Sequence, residues 1–298
     1  MSALLPRLGF IGIGLMGDPL SRRLAKAGHP LVLYNRTRAK ADAVAAETGA
    51  RVADSVAQLA AQVDVVITCV ANTEVLRELM LGAEGGIANA RPGGAIIDLT
   101  SADPAATREL AQLAAESGLS WVDAPVSGGV AGAEAGSLAI MCGGDRAHVD
   151  AARTILQPLA SRITHMGPVG AGQVTKLCNQ LLVACNTAAI AEMVALAESS
   201  GVDAGLLPEA LAGGFADSTP FRMLVPRMAE RDFKAPSWHL RTLLKDVDMA
   251  TAQGYRQASA TPMAALAAQL MRSRLARGEG ESDPATLIRL YRDDAQRS

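Results

Sequence analysis

The feature that most constrains this chain is a turn close to its start. The apolar run Leu8-Gly-Phe-Ile11 leads into Gly12-Ile13-Gly14-Leu15-Met16-Gly17, and Asp18-Pro19 then opens a helical stretch. A G-x-G-x-x-G pattern is weak alone, but here it stands in the strand–turn–helix context that it requires. Gly12 permits the tight turn, Gly14 lets the backbone reach a pyrophosphate, and Gly17 lets helix and strand pack closely. The helix start presents free N–H groups and a partial positive charge to phosphate. The segment Gly12–Gly17 is therefore a candidate dinucleotide loop.

The alternation continues. Leu8–Ile13, Leu31–Tyr34, Val65–Val70, Ala95–Leu99, Ser120–Asp123 and Leu138–Met141 are predicted strands, with Ala-rich helical patterns such as Pro19–Ala27 and Pro104–Glu116 between them. Continuous apolar strands alternating with helices predict an α/β fold with a doubly wound parallel sheet. After Gly172 the strand pattern stops. Residues 173–298 read as helices broken near Gly201, Gly213-Gly214, Pro236, Gly254 and Gly278-Glu-Gly280. The expected division is 1–167 for the nucleotide-binding domain and 168–298 for an all-α substrate and oligomerisation domain. A long helix, from about Gln173 to Ser200, joins them and would span ~42 Å at 1.5 Å per residue.

Composition excludes several classes. Hydrophobic residues make up 49% of the 298 and charged residues 19%, enough apolar material to exclude a disordered chain. Lys+Arg is 28 against Asp+Glu 30, so no basic excess exists to neutralise a nucleic acid. Cys69, Cys142, Cys178 and Cys185 form no C-x-x-C pair and read as inert buried thiols of a reducing compartment. The histidines at 29, 148, 165 and 239 are scattered, so no metal site is read. The N-terminus lacks a signal-peptide pattern, and Asn179, Gln180, Asn186 and Glu192 interrupt the apolar stretch Leu177–Leu196. A cytoplasmic protein without a membrane partner is expected.

The second strand ends at Asn35-Arg36-Thr37, about 18 residues beyond Gly17. NAD-binding folds place an acid there, on the ribose 2′-hydroxyl. None stands here. A carboxylate would repel a 2′-phosphate, whereas Arg36 can pair with it, and Asn35 and Thr37 can donate hydrogen bonds to the same group. The sequence thus argues for NADP(H), with NAD(H) as the weaker alternative.

Three further segments join the loop: Asp98-Leu-Thr100-Ser101, Asp123-Ala-Pro-Val-Ser127-Gly128-Gly129, and Gly170-Ala-Gly172-Gln-Val-Thr-Lys176-Leu-Cys-Asn179-Gln180. Together with Lys245-Asp246 the set resembles the β-hydroxyacid dehydrogenase, or 3-hydroxyisobutyrate dehydrogenase, family, which includes tartronate semialdehyde and glyoxylate/succinic semialdehyde reductases. The resemblance runs from Gly9 to about Tyr291. It implies a Rossmann-type N-terminal domain, an all-α C-terminal domain, an active site in the cleft between them, and a homodimer or homotetramer. It also implies cofactor contacts at Val70, Ala71, Thr100, Ser101 and Lys245.

The residues carry readings of their own. Thr100 and Ser101 follow a strand, at the edge where α/β folds bind ligands; N-capping of the helix at Pro104 by Ser101 or Asp103 is the structural alternative. Ser127-Gly128-Gly129 exposes successive N–H groups and a hydroxyl, which suits a carboxylate, and in relatives the matching residues hold the substrate carboxylate. Lys176 shares a helix face with Gln173, Asn179 and Gln180. A polar stripe on an apolar helix needs a reason, because burying such groups without partners is costly. The family pattern G-x-G-x-x-x-K-x-x-N carries the catalytic lysine onto Lys176 and the substrate-orienting amide onto Asn179, with Gln180 beside them. It carries cofactor and substrate contacts onto Lys245 and Asp246. Trp238 stands where relatives commonly have Phe and could trim the substrate pocket.

The expected reaction moves a hydride between the nicotinamide and a small β-hydroxy acid or its semialdehyde. Lys176 takes or gives the hydroxyl proton, a task that needs its amine pKa lowered from ~10.4. An imine reductase of the same architecture is the rival, but such relatives usually lack the lysine. A non-catalytic nucleotide-binding protein is the other, and the intact Gly12, Gly14, Gly17, Ser127, Lys176 and Asn179 weigh against it.

Overall fold

A computed structural model describes residues 5–234, 236 and 238–292. The chain forms two compact units, residues 1–176 and 177–298.

The first unit is built on a nine-stranded sheet. Its strands are β1 (Leu8–Ile11), β2 (Leu31–Tyr34), β3 (Arg51–Val52), β4 (Val65–Thr68), β5 (Ala95–Asp98), β6 (Ser120–Asp123), β7 (Val126–Ser127), β8 (Leu138–Gly143) and β9 (Ala160–Gly167). The order is β3-β2-β1-β4-β5-β6-β8-β7, with β9 also paired to β8. From β3 to β6 every pairing is parallel. β8 then runs antiparallel to β6 and β7, and β9 runs parallel to β8. The order 3-2-1-4-5-6 is that of a Rossmann sheet, and the chain reverses direction across it between β1 and β4.

Helices cover both faces. They are α1 (Gly17–Lys26), α2 (Arg38–Thr48), α3 (Val56–Ala60), α4 (Thr73–Met80), α5 (Gly86–Asn89), α6 (Pro104–Glu116), α7 (Gly129–Ala135) and α8 (Arg146–Leu156). Successive strand side chains point to opposite faces. Leu8, Phe10, Leu33, Ile67 and Ile97 enter one core with Leu20 and Leu24 of α1. Ile11, Val32, Val66 and Ile96 enter a second core with Leu59, Leu76, Leu110 and Trp121. Both faces are buried, which is why the strands read as unbroken apolar runs. β3, β7 and β9 were not expected from the sequence. β3 and β7 have only two residues each, and β9 is half-buried to exposed along its length, so none of them gives an apolar run.

The second unit is helical: α9 (Ala171–Ser199), which starts in the first unit, then α10 (Leu207–Ala210), α11 (Thr219–Glu230), α12 (Leu240–Arg256) and α13 (Pro262–Leu275). Its core is aliphatic, with Ala184, Val194, Leu224, Leu243, Val247, Ala267 and Ala268 around Phe221 and Met271. With aromatics at 3%, alanines let these helices approach closely. By length and composition α9 is apolar enough to cross a bilayer; here Leu177, Ala184, Ala191 and Val194, spaced at helical intervals, are buried within the protein. The break expected near Gly254 comes two residues after it: Gly254 lies in the last turn of α12, where an added Cβ would meet the Ser259 carbonyl oxygen at 2.9 Å.

Candidate functional site

The Gly12–Gly17 loop joins β1 to α1. Gly12 has φ 102°, and a Cβ there would sit 2.3 Å from the Cys69 carbonyl oxygen; one at Gly17 would sit 1.8 Å from that of Gly12. Both positions exclude any side chain. A Cβ at Gly14 would meet nothing within 4 Å, so the loop has an open outer face that any larger residue would begin to fill. Such a cradle, opening α1 at the carboxyl edge of β1, fits a dinucleotide pyrophosphate. Leu15 is exposed and Met16 half-buried, while the Ile13 side chain lies in the core.

Asn35 has a role that the sequence did not suggest. Its Oδ1 accepts from the Ile13 N–H at 2.9 Å, and its Nδ2 donates to the Thr37 carbonyl oxygen at 2.9 Å. The side chain thus ties the glycine loop to the end of β2. Arg36 and Thr37 are exposed. Arg38 is paired with Asp54 and Asp42, whereas Arg36 has no ion-pair partner among the described residues. Thr37 is the N-cap residue of α2, yet its side chain makes no capping bond.

The next edge of the sheet holds a buried polar network. The Asp98 carboxylate accepts from Thr68 Oγ1 (2.7 Å) and the Thr100 N–H (3.0 Å), and the Val70 N–H donates to Thr100 Oγ1 (3.1 Å). Burial pushes Asp98 up to about 6, against the hydrogen bonds that favour its charged form. Burial, with the Asp98 charge adding to it, pushes the neighbouring Cys69 thiol up to about 12. Asp103, rather than Ser101, caps α6 by accepting from the Ala105 and Ala106 N–H groups. Ser101 is half-buried and Ala71 exposed.

At β6, Asp123 is fully buried and accepts from the Gly170 N–H (2.8 Å) and the Gln173 N–H (2.9 Å) at the start of α9. Burial raises its pKa, and those backbone bonds oppose the rise. Ser127 ends β7, and Gly128 and Gly129 follow with φ of 134° and 64°. Both conformations are ones that glycine adopts without strain.

The polar stripe of α9 divides in two. Gln173 is fully buried: its Oε1 accepts from the Ala102 N–H (3.0 Å), and its Nε2 donates to the Thr100 carbonyl oxygen (2.7 Å) and Asp98 Oδ2 (3.4 Å). Lys176, one turn on, is 8% exposed. Within the helical unit, Asn179 Nδ2 donates to Gln180 Oε1 (2.9 Å), Gln180 Nε2 donates to Asp246 Oδ2 (2.6 Å), and Lys245 Nζ pairs with Asp246 Oδ1 at 3.2 Å. Four residues singled out from the sequence thus form one chain of contacts. Trp238 is partly buried against the helical core. The four thiols are unpaired; Cys142 is buried, but Cys178 is exposed and not buried as expected. The network of Thr68, Asp98, Thr100 and Gln173 was missed. Its one sequence signal was a glutamine in an apolar helix, and its partners stand more than 70 positions earlier.

A Rossmann sheet with a dinucleotide loop, followed by an all-helical unit, is the architecture of a dinucleotide-binding protein. Residues 7–167 match the family described as the NAD binding domain of 6-phosphogluconate dehydrogenase, and residues 170–291 that described as NAD-binding of NADP-dependent 3-hydroxyisobutyrate dehydrogenase. The chain is 33% identical over 292 residues to the NAD-dependent L-serine dehydrogenase of Pseudomonas aeruginosa, covering 96% of this chain and 97% of that one. It is 33% identical over 290 residues to the 2-(hydroxymethyl)glutarate dehydrogenase of Eubacterium barkeri, covering 96% and 94%. A solved 3-hydroxyisobutyrate dehydrogenase of Mycobacterium tuberculosis with L-serine superposes with a TM-score of 0.88 at 32% identity, over 97% of this chain and all of that one. The chain belongs to the β-hydroxyacid dehydrogenase family of NAD(P)-dependent oxidoreductases.

Proposed function

We propose that the protein is an NADP(H)-preferring dehydrogenase of a small β-hydroxy acid, or reductase of the matching semialdehyde, with Lys176 as general acid and base. The observation that carries this reading is Lys176 itself, buried on α9 one turn beyond a glutamine bonded to the Thr100 carbonyl. The relatives' substrates, L-serine and 2-(hydroxymethyl)glutarate, share a hydroxymethyl group on the carbon that bears a carboxylate. 3-Hydroxyisobutyrate has the same unit, and tartronate semialdehyde, succinic semialdehyde and glyoxylate are aldehyde acids that offer a carbonyl beside or near a carboxylate.

The bound nicotinamide supplies hydride transfer. In oxidation the neutral Lys176 amine accepts the hydroxyl proton; in reduction its ammonium returns that proton to the carbonyl oxygen. Ser127, Gly128 and Gly129 hold the substrate carboxylate, and Asn179 orients the reacting oxygen with its amide fixed by Gln180. Lys245 and Asp246 contribute from α12, and Trp238 limits substrate size. Gly12, Ile13, Gly14, Leu15, Met16 and Gly17 carry the pyrophosphate. Val70, Ala71, Thr100 and Ser101 flank the nicotinamide side, and Arg36 with Thr37 pairs with a 2′-phosphate. Unpaired thiols support a cytoplasmic setting, and exposed Leu182, Leu196, Met263 and Leu266 support a homodimer or homotetramer.

The test is a spectrophotometric screen of NADPH and NADH oxidation against these aldehyde acids, with L-serine and 3-hydroxyisobutyrate in the reverse direction. Turnover of at least one acid, and a loss of ~10²–10⁴ in rate in Lys176→Ala with cofactor affinity kept, is the expected result. Reduction of a cyclic imine with no turnover of any acid would overturn it.

A further inference from the structure

We propose that Gln173 is a positioning residue that holds Lys176 in register with the 98–102 edge of β5. The inference rests on Lys176 being the acid–base group. Its own ground is the set of bonds around residue 173. The Gln173 N–H is held by Asp123 at the end of β6, and its side chain is held by three groups of the 98–102 segment: the Asp98 carboxylate, the Thr100 carbonyl and the Ala102 N–H. Backbone and side chain of one fully buried residue are therefore fixed from two neighbouring strands.

Lys176 stands three residues further along, on the same helix face. A helix that slipped by one residue would move its side chains by 1.5 Å and turn them by ~100°, and a misplacement of ~1 Å at a reacting group can lower the rate ~10²-fold. The 98–102 segment contains Thr100 and Ser101, the residues read as nicotinamide neighbours. One amide thus fixes the proton-transfer residue relative to the segment that meets the hydride donor. The charged groups around Gln173 are Asp98 on β5, Asp123 on β6 and Lys176 on α9 itself.

Two substitutions test the inference in the full-length protein. Gln173→Met keeps length and volume but can neither donate to Thr100 nor accept from Ala102. It should lower kcat ~10-fold or more, leave KM for the acid within ~3-fold, and speed hydrogen exchange at the Ala102 amide in the cofactor-free protein. Gln173→Glu is a conditional rescue. Its protonated carboxyl restores both bonds, while its ionised form faces Asp98 and the Thr100 carbonyl, so kcat relative to wild type should recover as pH falls from 8 to 5.5. If Gln173→Met does not fold, this pH-dependent recovery decides alone. Wild-type kcat in Gln173→Met, beside an inactive Lys176→Ala, overturns the positioning role and leaves the acid–base reading standing. Unchanged exchange at Ala102 overturns it too. Turnover retained in Lys176→Ala removes the acid–base reading and the positioning role with it.

Discussion

At the scale of single residues, cofactor choice is the sharpest question. Arg36 is exposed, without an ion-pair partner among the described residues, beside an α2 N-terminus that Thr37 leaves uncapped by its side chain. Arg36→Ala should remove a charge-assisted contact of ~1.5–3 kcal/mol, weakening NADPH by roughly 10- to 150-fold while NADH hardly changes. Dissociation constants at one salt concentration decide it, because charge pairing is screened; equal weakening of both cofactors would make Arg36 an ordinary surface residue. Ser127→Ala should raise KM for a carboxylate substrate more than for a neutral carbonyl analogue, since only the acid has an anion to lose. Steady-state kinetics on a matched pair provide the comparison, and equal effects would reduce Ser127 to shaping its turn. Asn35 shows a limit of reading residues by type. Its amide suggested a phosphate donor, yet it is tied to Ile13 and Thr37. An amide that braces its own loop looks the same in sequence as one that awaits a ligand.

At the scale of elements, the carboxyl ends of β5 and β6 each present a buried aspartate to α9 or to the turn before it. Asp98 carries a pH signature. Burial raises its pKa from 3.8 to about 6, so the folded state binds this proton more tightly than the unfolded chain. Its stabilising contribution is complete below pH 3.8 and is lost as pH rises through about 6. Asp98→Asn should remove that slope. The difference in unfolding free energy between variant and wild type should change with pH across this window by on the order of a few kcal/mol, read from urea titrations. Parallel profiles would mean that Asp98 stays ionised in the fold. The elements legible in the sequence were those with an unbroken apolar run or a strong helical pattern: β1, β2, β4, β5, β6 and β8 were found within two residues at each end, and α6 at its observed limits. β9 was not legible, because Ser161, Arg162, Thr164 and His165 interrupt any apolar run and its place is fixed by pairing with β8. The contacts of Gln173 were hidden for a related reason: helical spacing reveals which residues share a face, but not which distant strand end they meet.

At the scale of the whole molecule, the change from strands to helices near residue 170 was visible because the apolar period itself changes, and the two units have separate cores. Ligand binding to the first unit should register in the stability of the intact chain. NADPH at ~100 times its dissociation constant should add ~2.7 kcal/mol, and NADH at the same concentration, if 10- to 150-fold weaker, only ~0.3–1.4 kcal/mol. Scanning fluorimetry should then show the larger rise in Tm with NADPH, and equal rises would remove the NADP(H) preference. The sparse aromatic content has an optical consequence. The chain has two tryptophans, and each unit contains one. Trp121 on β6 is 3% exposed, and its indole N–H has no hydrogen-bond partner among the described residues; Trp238 is only partly covered by the helical core. The first should emit at the blue end of the indole range and the second further to the red. Trp121→Phe would leave a chain whose remaining indole emission comes from the helical unit alone, so the melting of each half could be followed by colour, without a label.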